Sequence, residues 1–405
     1  VDVATLGAPR ERKGAEMGYR YAVLGAGRQG VAAAYDIAKF GEADEVLLAD
    51  ANIAAAEAGA AHINRLIGAE IASSAQVDVS NLDKLAEAVR GATSVLSCVP
   101  YKFNLAITEV TINQGANMCD LGGNTAIVRQ QLGFDSEARS RGVTVVPDCG
   151  MGPGLNISLA VYAMSLLDVA REALIWDGGL PQNPKPPWNF SSTFHIGGLT
   201  NEYYGNAYFL RGGRVTEIPC FEGLEELEFA PPIGRLEAAV TSGGLSTAPW
   251  TFEGKLERLE NKTLRYPGHW EWFKAFSELG LLELDPVKVG DTQVVPRDVL
   301  HALLEPKISD PDVRDVCVMR TKSVGVKGGA EVEAVIELID HYDEETGFTA
   351  MQRLTGWHAS IVAILAAQGR LDRGAVPVEV AIPGDLIVEE VRRRGFKLTE
   401  DVKLL

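Results

Sequence analysis

The segment YAVLGAGRQGVAAAYDIA, residues 21–38, limits this chain more than any other stretch. An apolar run ends in three spaced glycines, Gly25, Gly27 and Gly30, and passes straight into a helical pattern. Strand, GxGxxG and helix in that order make a dinucleotide-binding turn. Gly25 permits the tight turn, Gly27 lets a pyrophosphate approach the backbone, Gly30 allows close packing, and unpaired amides at the helix start attract the anion. Asp50 closes the next apolar run, EVLLAD, where an acid accepts hydrogen bonds from both ribose hydroxyls. The same carboxylate repels a 2′-phosphate, and ADANIAAAE supplies no Arg to hold one, so NAD is expected rather than NADP.

The alternation begun there continues through Val145. Strand patterns at SVLSCV (94–99), NMCDLG (117–122) and VTVVPD (143–148) alternate with helical stretches over Asn81–Arg90, Phe103–Gln114 and Ala126–Arg141. That rhythm predicts an α/β fold: a Rossmann doubly wound parallel sheet whose ligands lie beyond the carboxyl ends of its strands. At 405 residues the chain is too long for one core. The texture changes after Arg171, where GGLPQNPKPPW (178–188) holds four prolines. Beyond it YFLRGGRVTEI turns at Gly212-Gly213 and VCVMRTKSVGVKGGAEVEAVIELI at Gly328-Gly329, patterns of antiparallel hairpins with few helices between them. Helical texture returns from Ala350, in GWHASIVAILAAQG and over Gly384–Gly395. The expected division is a Rossmann domain over 17–150 and 351–405, completed by C-terminal helices, and an inserted α+β domain of mixed or antiparallel sheet over 151–350. Residues 1–16 are expected to be a flexible extension.

Composition excludes several partners. The 38 Lys+Arg against 55 Asp+Glu leave a net charge of −17, which repels phosphate backbones and anionic lipid, so neither nucleic acid nor membrane is expected. No apolar run approaches the roughly 20 residues of a membrane span. Five widely spaced cysteines suggest neither a disulfide framework nor a zinc site, no His or Cys pair has metal-ligand spacing, and a cytoplasmic protein is expected.

Three cysteines, Cys98, Cys119 and Cys149, fall at or just past strand ends, near the expected cofactor edge. No His or Lys adjoins them in sequence to lower a thiol pKa, so they read as small buried hydrophobes rather than nucleophiles. Gly122-Gly123 and GMGPG (150–154) also end strands, where a ring or substrate can approach the backbone. In the second domain NKTLRYPGHWEWF gathers Lys262, Arg265, Tyr266 and His269 ahead of an aromatic helix. Arg offers a planar fork for a carboxylate and His accepts a proton near neutral pH, a pairing suited to an amino acid substrate.

The order of VLGAGRQG, SCVPYKFN, CDLGGN, VPDCGMGPGLNI, TSGGLSTAP, KTLRYPGHWE, TGWHASIVA and VEVAIPGDLIVEEVRRRG resembles the saccharopine dehydrogenase family from about Met17 to the end. Within it the likeness is to the branch that oxidises the side-chain amine of lysine. His269 at the end of TLRYPGH, where saccharopine-handling relatives commonly have an aromatic, and Gly152 where the family usually has Asp before Pro-Gly, lean the same way. The resemblance implies hydride transfer from the carbon bearing the ε-amine of L-lysine to NAD. The imine would hydrolyse to ammonia and the 6-semialdehyde, which cyclises. It implies a homodimer or higher homo-oligomer, with His269 as base and Arg265 on the α-carboxylate. Tyr101, Asp120, Cys149, Gly150 and Tyr266 would line the substrate pocket, and Arg28, Gln29, Ala51, Cys98, Val99, Pro100, Gly122 and Gly123 would join Gly25, Gly27, Gly30 and Asp50 around the cofactor. Reductive coupling of a carbonyl and an amine, as in saccharopine and carboxyspermidine dehydrogenases, and a non-catalytic NAD-binding sensor are the alternatives.

Overall fold

The computed structural model describes residues 18–405, so the expected N-terminal extension lies outside the described residues. The first sheet is built from β1 (Tyr19–Leu24), β2 (Ala43–Asp50), β3 (Ala72–Gln76), β4 (Ser94–Ser97), β5 (Asn117–Asp120) and β6 (Thr144–Val146). They lie in the order β6-β5-β4-β1-β2-β3, all parallel, with the short strand Gly374–Ala375 beside β6. Two helices, α1 (Arg28–Phe40) and α2 (Ile53–Ile67), follow β1 and β2. Strand order reverses between β1 and β4, so the turns after these strands face each other across the crevice where open α/β sheets bind ligands.

The second sheet is mixed. Its central strand, β7 (Val169–Pro181), pairs antiparallel with Asp315–Lys327 and parallel with Arg258–Arg265. Both hairpins expected from glycine pairs are present: 206–211 with 214–219, and Asp315–Lys327 with Ala330–His341. Helices are more numerous here than the sequence suggested, with Ile196–Glu202, His269–Glu278 and Pro296–Ile308 packed around an aromatic cluster.

One expectation about the C-terminus is corrected. Leu398–Leu404 does not complete the first domain but is a strand of the second sheet, paired antiparallel with Ala330–His341. LTEDVKL is almost wholly exposed, an edge strand whose apolar alternation, Leu398, Val402 and Leu404, is broken by Glu400.

The long helix Ala350–Ala367 lies between the sheets, against α1, β4 and β5 on one side and Asp315–Lys327 on the other. Its start is fixed by a reciprocal Thr349–Gln352 capping box, and the Asp315 carboxylate accepts from Ala350 N at 2.7 Å and Met351 N at 2.9 Å. Gln352 Nε2 donates to the Arg28 carbonyl at 3.0 Å, which ties this helix to the glycine turn. Helix Gly384–Arg393 is clamped onto α1 just beyond its end by a fully buried ion pair, in which Arg394 Nε donates to both Asp36 oxygens at 3.0 and 2.9 Å.

Candidate active site

The crevice side of the first sheet is made largely of backbone. Gly25 sits at φ +104°, a left-handed conformation that L side chains avoid, and a Cβ on Gly30 would run into the Gly25 carbonyl oxygen. A Cβ on Gly27 would meet nothing within 4 Å, and α1 starts there without a side-chain cap, so its first amides face open space. That is the arrangement a pyrophosphate needs. Asp50 accepts from Ala26 N at 2.7 Å and Asn52 N at 2.8 Å, which fixes its carboxylate at the end of β2 beside the turn. Further along this edge of strand ends, Cys98, Val99 and Gly122 are half-buried and Pro100 and Gly123 exposed; the Cys98 carbonyl and the Val99 side chain lie against Gly25, and Tyr101, expected at the substrate pocket, is half-buried against Gly123.

Asp120, Cys149 and Gly150 lie beneath that edge instead of lining it. Asp120 is fully buried; its oxygens accept from Gly122 N (2.8 Å), Asp148 N (3.1 Å) and Gln131 Nε2 (2.7 Å), so it shapes the Gly122-Gly123 turn. Cys149 has no exposed surface, and its thiol points back to the Val146 carbonyl at 3.2 Å. Burial pushes the Cys98, Cys119 and Cys149 thiols well above their ordinary range, which leaves none of them a nucleophile at neutral pH. His358 braces the loop from below, with Nδ1 2.9 Å from the Cys149 carbonyl and Nε2 3.2 Å from Ser158 Oγ, and burial lowers its pKa to about 4.

Across the crevice the second sheet presents charge. Strand Arg258–Arg265 sends alternate side chains to opposite faces. Asn261 and Arg265 face inward, whereas Lys262 faces away, bonded to the Gly223 carbonyl at 2.7 Å and to Glu225 at 2.8 Å. Arg265, 2% exposed, donates from Nε to the Tyr203 hydroxyl at 2.8 Å, and its guanidinium lies 5.1 Å from the Phe190 ring centre. His269 Nε2 stands 2.9 Å from the same hydroxyl, Nδ1 lies 3.4 Å from the Trp188 carbonyl, and the ring stacks on Phe273 at 4.5 Å. One hydroxyl therefore links Arg265 to His269, and with Trp188 on the other ring nitrogen His269 has no free nitrogen to offer the far end of a substrate. Burial, with Arg265 adding to it, holds the His269 pKa well below its usual value. Tyr266 is half-buried next along this segment.

Two carboxylates complete the cluster, and neither stood out in the sequence. Asp177 on β7 takes a 2.5 Å bond from Asn261 Nδ2 and a bond from Asn156, which follows the GMGPG loop; burial lifts its pKa to about 6 against the pull of Arg265. Glu202 Oε2 lies 3.9 Å from Arg265 Nη2, and burial, with Asp177 beside it, lifts its pKa to about 7. Their only local sign was membership of β7 and of a short helix; partners so far away in sequence cannot be read from spacing. Asn201, next to Glu202, donates from Nδ2 to the Gly123 carbonyl at 3.1 Å, which joins the charged cluster to the cofactor edge.

A parallel sheet with an open dinucleotide turn, facing a charged cleft on a second sheet, defines a two-domain nicotinamide-nucleotide oxidoreductase. Residues 21–146 match the model of the saccharopine dehydrogenase NADP binding domain and residues 150–396 that of the saccharopine dehydrogenase C-terminal domain. The chain belongs to the saccharopine dehydrogenase family. Among solved structures, apo saccharopine dehydrogenase (L-Glu forming) from Saccharomyces cerevisiae aligns at 19% identity and TM-score 0.75 over 95% of this chain and 100% of that one, which shows the shared fold. An engineered D-amino acid dehydrogenase (15% identity, TM-score 0.41, 93% and 99% covered) and GenD2 from gentamicin A biosynthesis in complex with NAD (10%, 0.40, 98% and 99%) align more loosely.

Proposed function

We propose that the protein is a lysine 6-dehydrogenase, which oxidises the ε-carbon of L-lysine with NAD and releases ammonia and a 6-semialdehyde that cyclises to piperideine-6-carboxylate. The carrying observation is the charge inventory of the cleft: one guanidinium, Arg265, beside two carboxylates, Asp177 and Glu202. Lysine is its mirror image, with one carboxylate and two amino groups. Saccharopine brings three carboxylates, two of which would find no further cation in this cluster.

Arg265 holds the α-carboxylate in this reading. Its buried side chain is braced by the Tyr203 hydroxyl, which His269 orients from the other side, so His269 acts through Tyr203 as a positioning residue. When bound, the cofactor supplies the hydride acceptor; the Gly25–Gly30 turn would hold its pyrophosphate and Asp50 its ribose. The Asp50 carboxylate, with no cation among residues 51–58, supports NAD over NADP. Exposed Leu279, Leu284, Val287, Val289 and Leu303 in the second domain support the homodimer expected from the family likeness, which sedimentation would check.

The test is NADH formation with a panel of diamino acids and polyamines, with product identification. Lysine with NAD alone should suffice and yield the cyclised aldehyde. A requirement for a second, carbonyl substrate, or a 2-oxo acid product, would overturn the assignment.

A further inference from the structure

Removing hydride from the ε-carbon needs a neutral amine, because an ammonium has no lone pair with which to form the C=N bond, so some group must first take a proton. Most candidates near the cleft are already committed. His269 is 1% exposed, and each ring nitrogen lies within bonding distance of a partner, one at Tyr203 and one at Trp188. The Asp177 carboxylate is held by Asn261 and Asn156, and the Tyr203 hydroxyl lies between Arg265 and His269. The Cys149 thiol points into the sheet.

Glu202 is different. Its side chain keeps 32% of its surface exposed, against 3% for Arg265, and its nearest charged partner is Arg265 Nη2 at 3.9 Å, too long for a hydrogen bond. Its backbone is pinned, with the carbonyl accepting from Ser242 N at 2.8 Å, and Asn201 before it is tied to Gly123 on the cofactor edge. A fixed stem thus holds a partly exposed carboxylate beside Arg265, one residue from the tie to the cofactor edge. The groups that face it are Arg265 from strand Arg258–Arg265, Asp177 from β7, Cys220 from the loop after strand 214–219, and Tyr203 with His269 behind it. Burial and Asp177 outweigh Arg265 and lift the Glu202 pKa to about 7, near the working range of a general base.

Resting on the lysine reading, we infer that Glu202 is the general base, which takes the proton from the ε-ammonium of the bound substrate. An N–H bond of the ammonium breaks as the Glu202 O–H forms. The freed lone pair makes the C=N bond while the C–H electron pair leaves for the nicotinamide. Water then adds to the imine carbon, ammonia departs, and Glu202 returns its proton to solvent.

The experiment compares wild type, Glu202→Gln and Glu202→Asp. For wild type, kcat/KM should fall as pH drops below about 7. In Glu202→Gln, kcat should fall by roughly 10²–10⁴-fold and that acidic limb should vanish, while Glu202→Asp recovers part of the rate. NADH binding, followed by its fluorescence, should be unaltered in all three and reports folding. A second readout needs no turnover: calorimetry of lysine binding to the NADH-loaded protein at pH 6, in buffers of different ionisation heat. Wild type should release a proton as Glu202 ionises against the ammonium; Glu202→Gln should not. Near-normal kcat with an intact acidic limb, or unchanged proton release, in Glu202→Gln overturns the inference. If another amine proves to be the substrate, the same measurements on that amine decide Glu202 separately; if no amine is oxidised, both readings fall.

Discussion

The two walls of the crevice solve opposite problems with opposite materials. The cofactor wall is backbone: the amides of its pyrophosphate turn come from one continuous segment, Gly25–Gly30, and the feature that matters at Gly27 and Gly30 is the lack of a side chain. The substrate wall is side chain. Asp177, Glu202, Arg265 and His269 converge from four elements, with Tyr203 at the end of the helix that carries Glu202, and nearly all are buried. A wall of amides recognises any pyrophosphate, because every dinucleotide offers the same one; a wall of placed charges recognises one substrate. Damage should therefore part cleanly between the walls.

The largest effect on binding is expected at Arg265. Its removal leaves the α-carboxylate of lysine without its cation, and losing one partner of a buried charge pair costs about 2–5 kcal/mol in binding, so Arg265→Ala should lower kcat/KM for lysine roughly 30- to 10³-fold, mostly through KM. NAD affinity should not move. If steady-state kinetics showed kcat/KM for lysine and Kd for NAD falling together, the two walls would not be independent. Gly30→Ala is the reciprocal change. The added Cβ collides with the Gly25 carbonyl, and overpacking typically costs about 1–3 kcal/mol, so NAD should bind about 10–100-fold more weakly. Lysine binding to whatever fraction is NAD-saturated should be normal.

The same contrast explains how much of the molecule was legible in the sequence. The glycine turn, the parallel sheet and both glycine hairpins were readable because each is written in neighbouring residues at a fixed period. Asp177 and Glu202 were not, since what distinguishes them is Arg265, 88 and 63 positions away, and proximity of that kind leaves no spacing to detect. Arg265 and His269 were found from local clustering, but the bridging Tyr203 hydroxyl, which sets them side by side, comes from another helix end. β3 escaped because ASSAQ lacks the branched residues of a strand, and Leu398–Leu404 because an exposed edge strand mixes charged residues among its few apolar ones.

A smaller effect is expected at Asp50, the carboxylate at the end of β2 that is proposed to hold the ribose. Asp50→Ala should narrow the preference for NAD over NADP by about tenfold, the size of one lost charge-assisted contact of about 1.5 kcal/mol. Equal use of both cofactors by the unmodified protein would remove the role given to this residue. Lysine KM should be unchanged.

The smallest effect concerns Asp148, which lies under the cofactor edge and shows that this wall too hides a charge. It is 1% exposed, adopts φ +60°, accepts from Gly123 N at 3.3 Å and donates its own N–H to Asp120. Burial first, then the charge of Asp120, lift its pKa to about 7, although the Ser246 hydroxyl and Gly123 amide pull the other way. The folded state therefore holds a proton that the unfolded chain, with an ordinary carboxylate near 4, has released. Stability from this group is fully present below about pH 4 and is lost as pH rises through about 7. Asn keeps the acceptor for Gly123, tolerates the left-handed backbone and never ionises. Asp148→Asn should thus melt a few degrees higher than wild type at pH 8, with the gain shrinking towards zero at pH 4. Scanning calorimetry of the two proteins across that range is the check. A Tm difference independent of pH would mean that the side chain is neutral in both states or charged in both, and that the cofactor wall carries no buried proton.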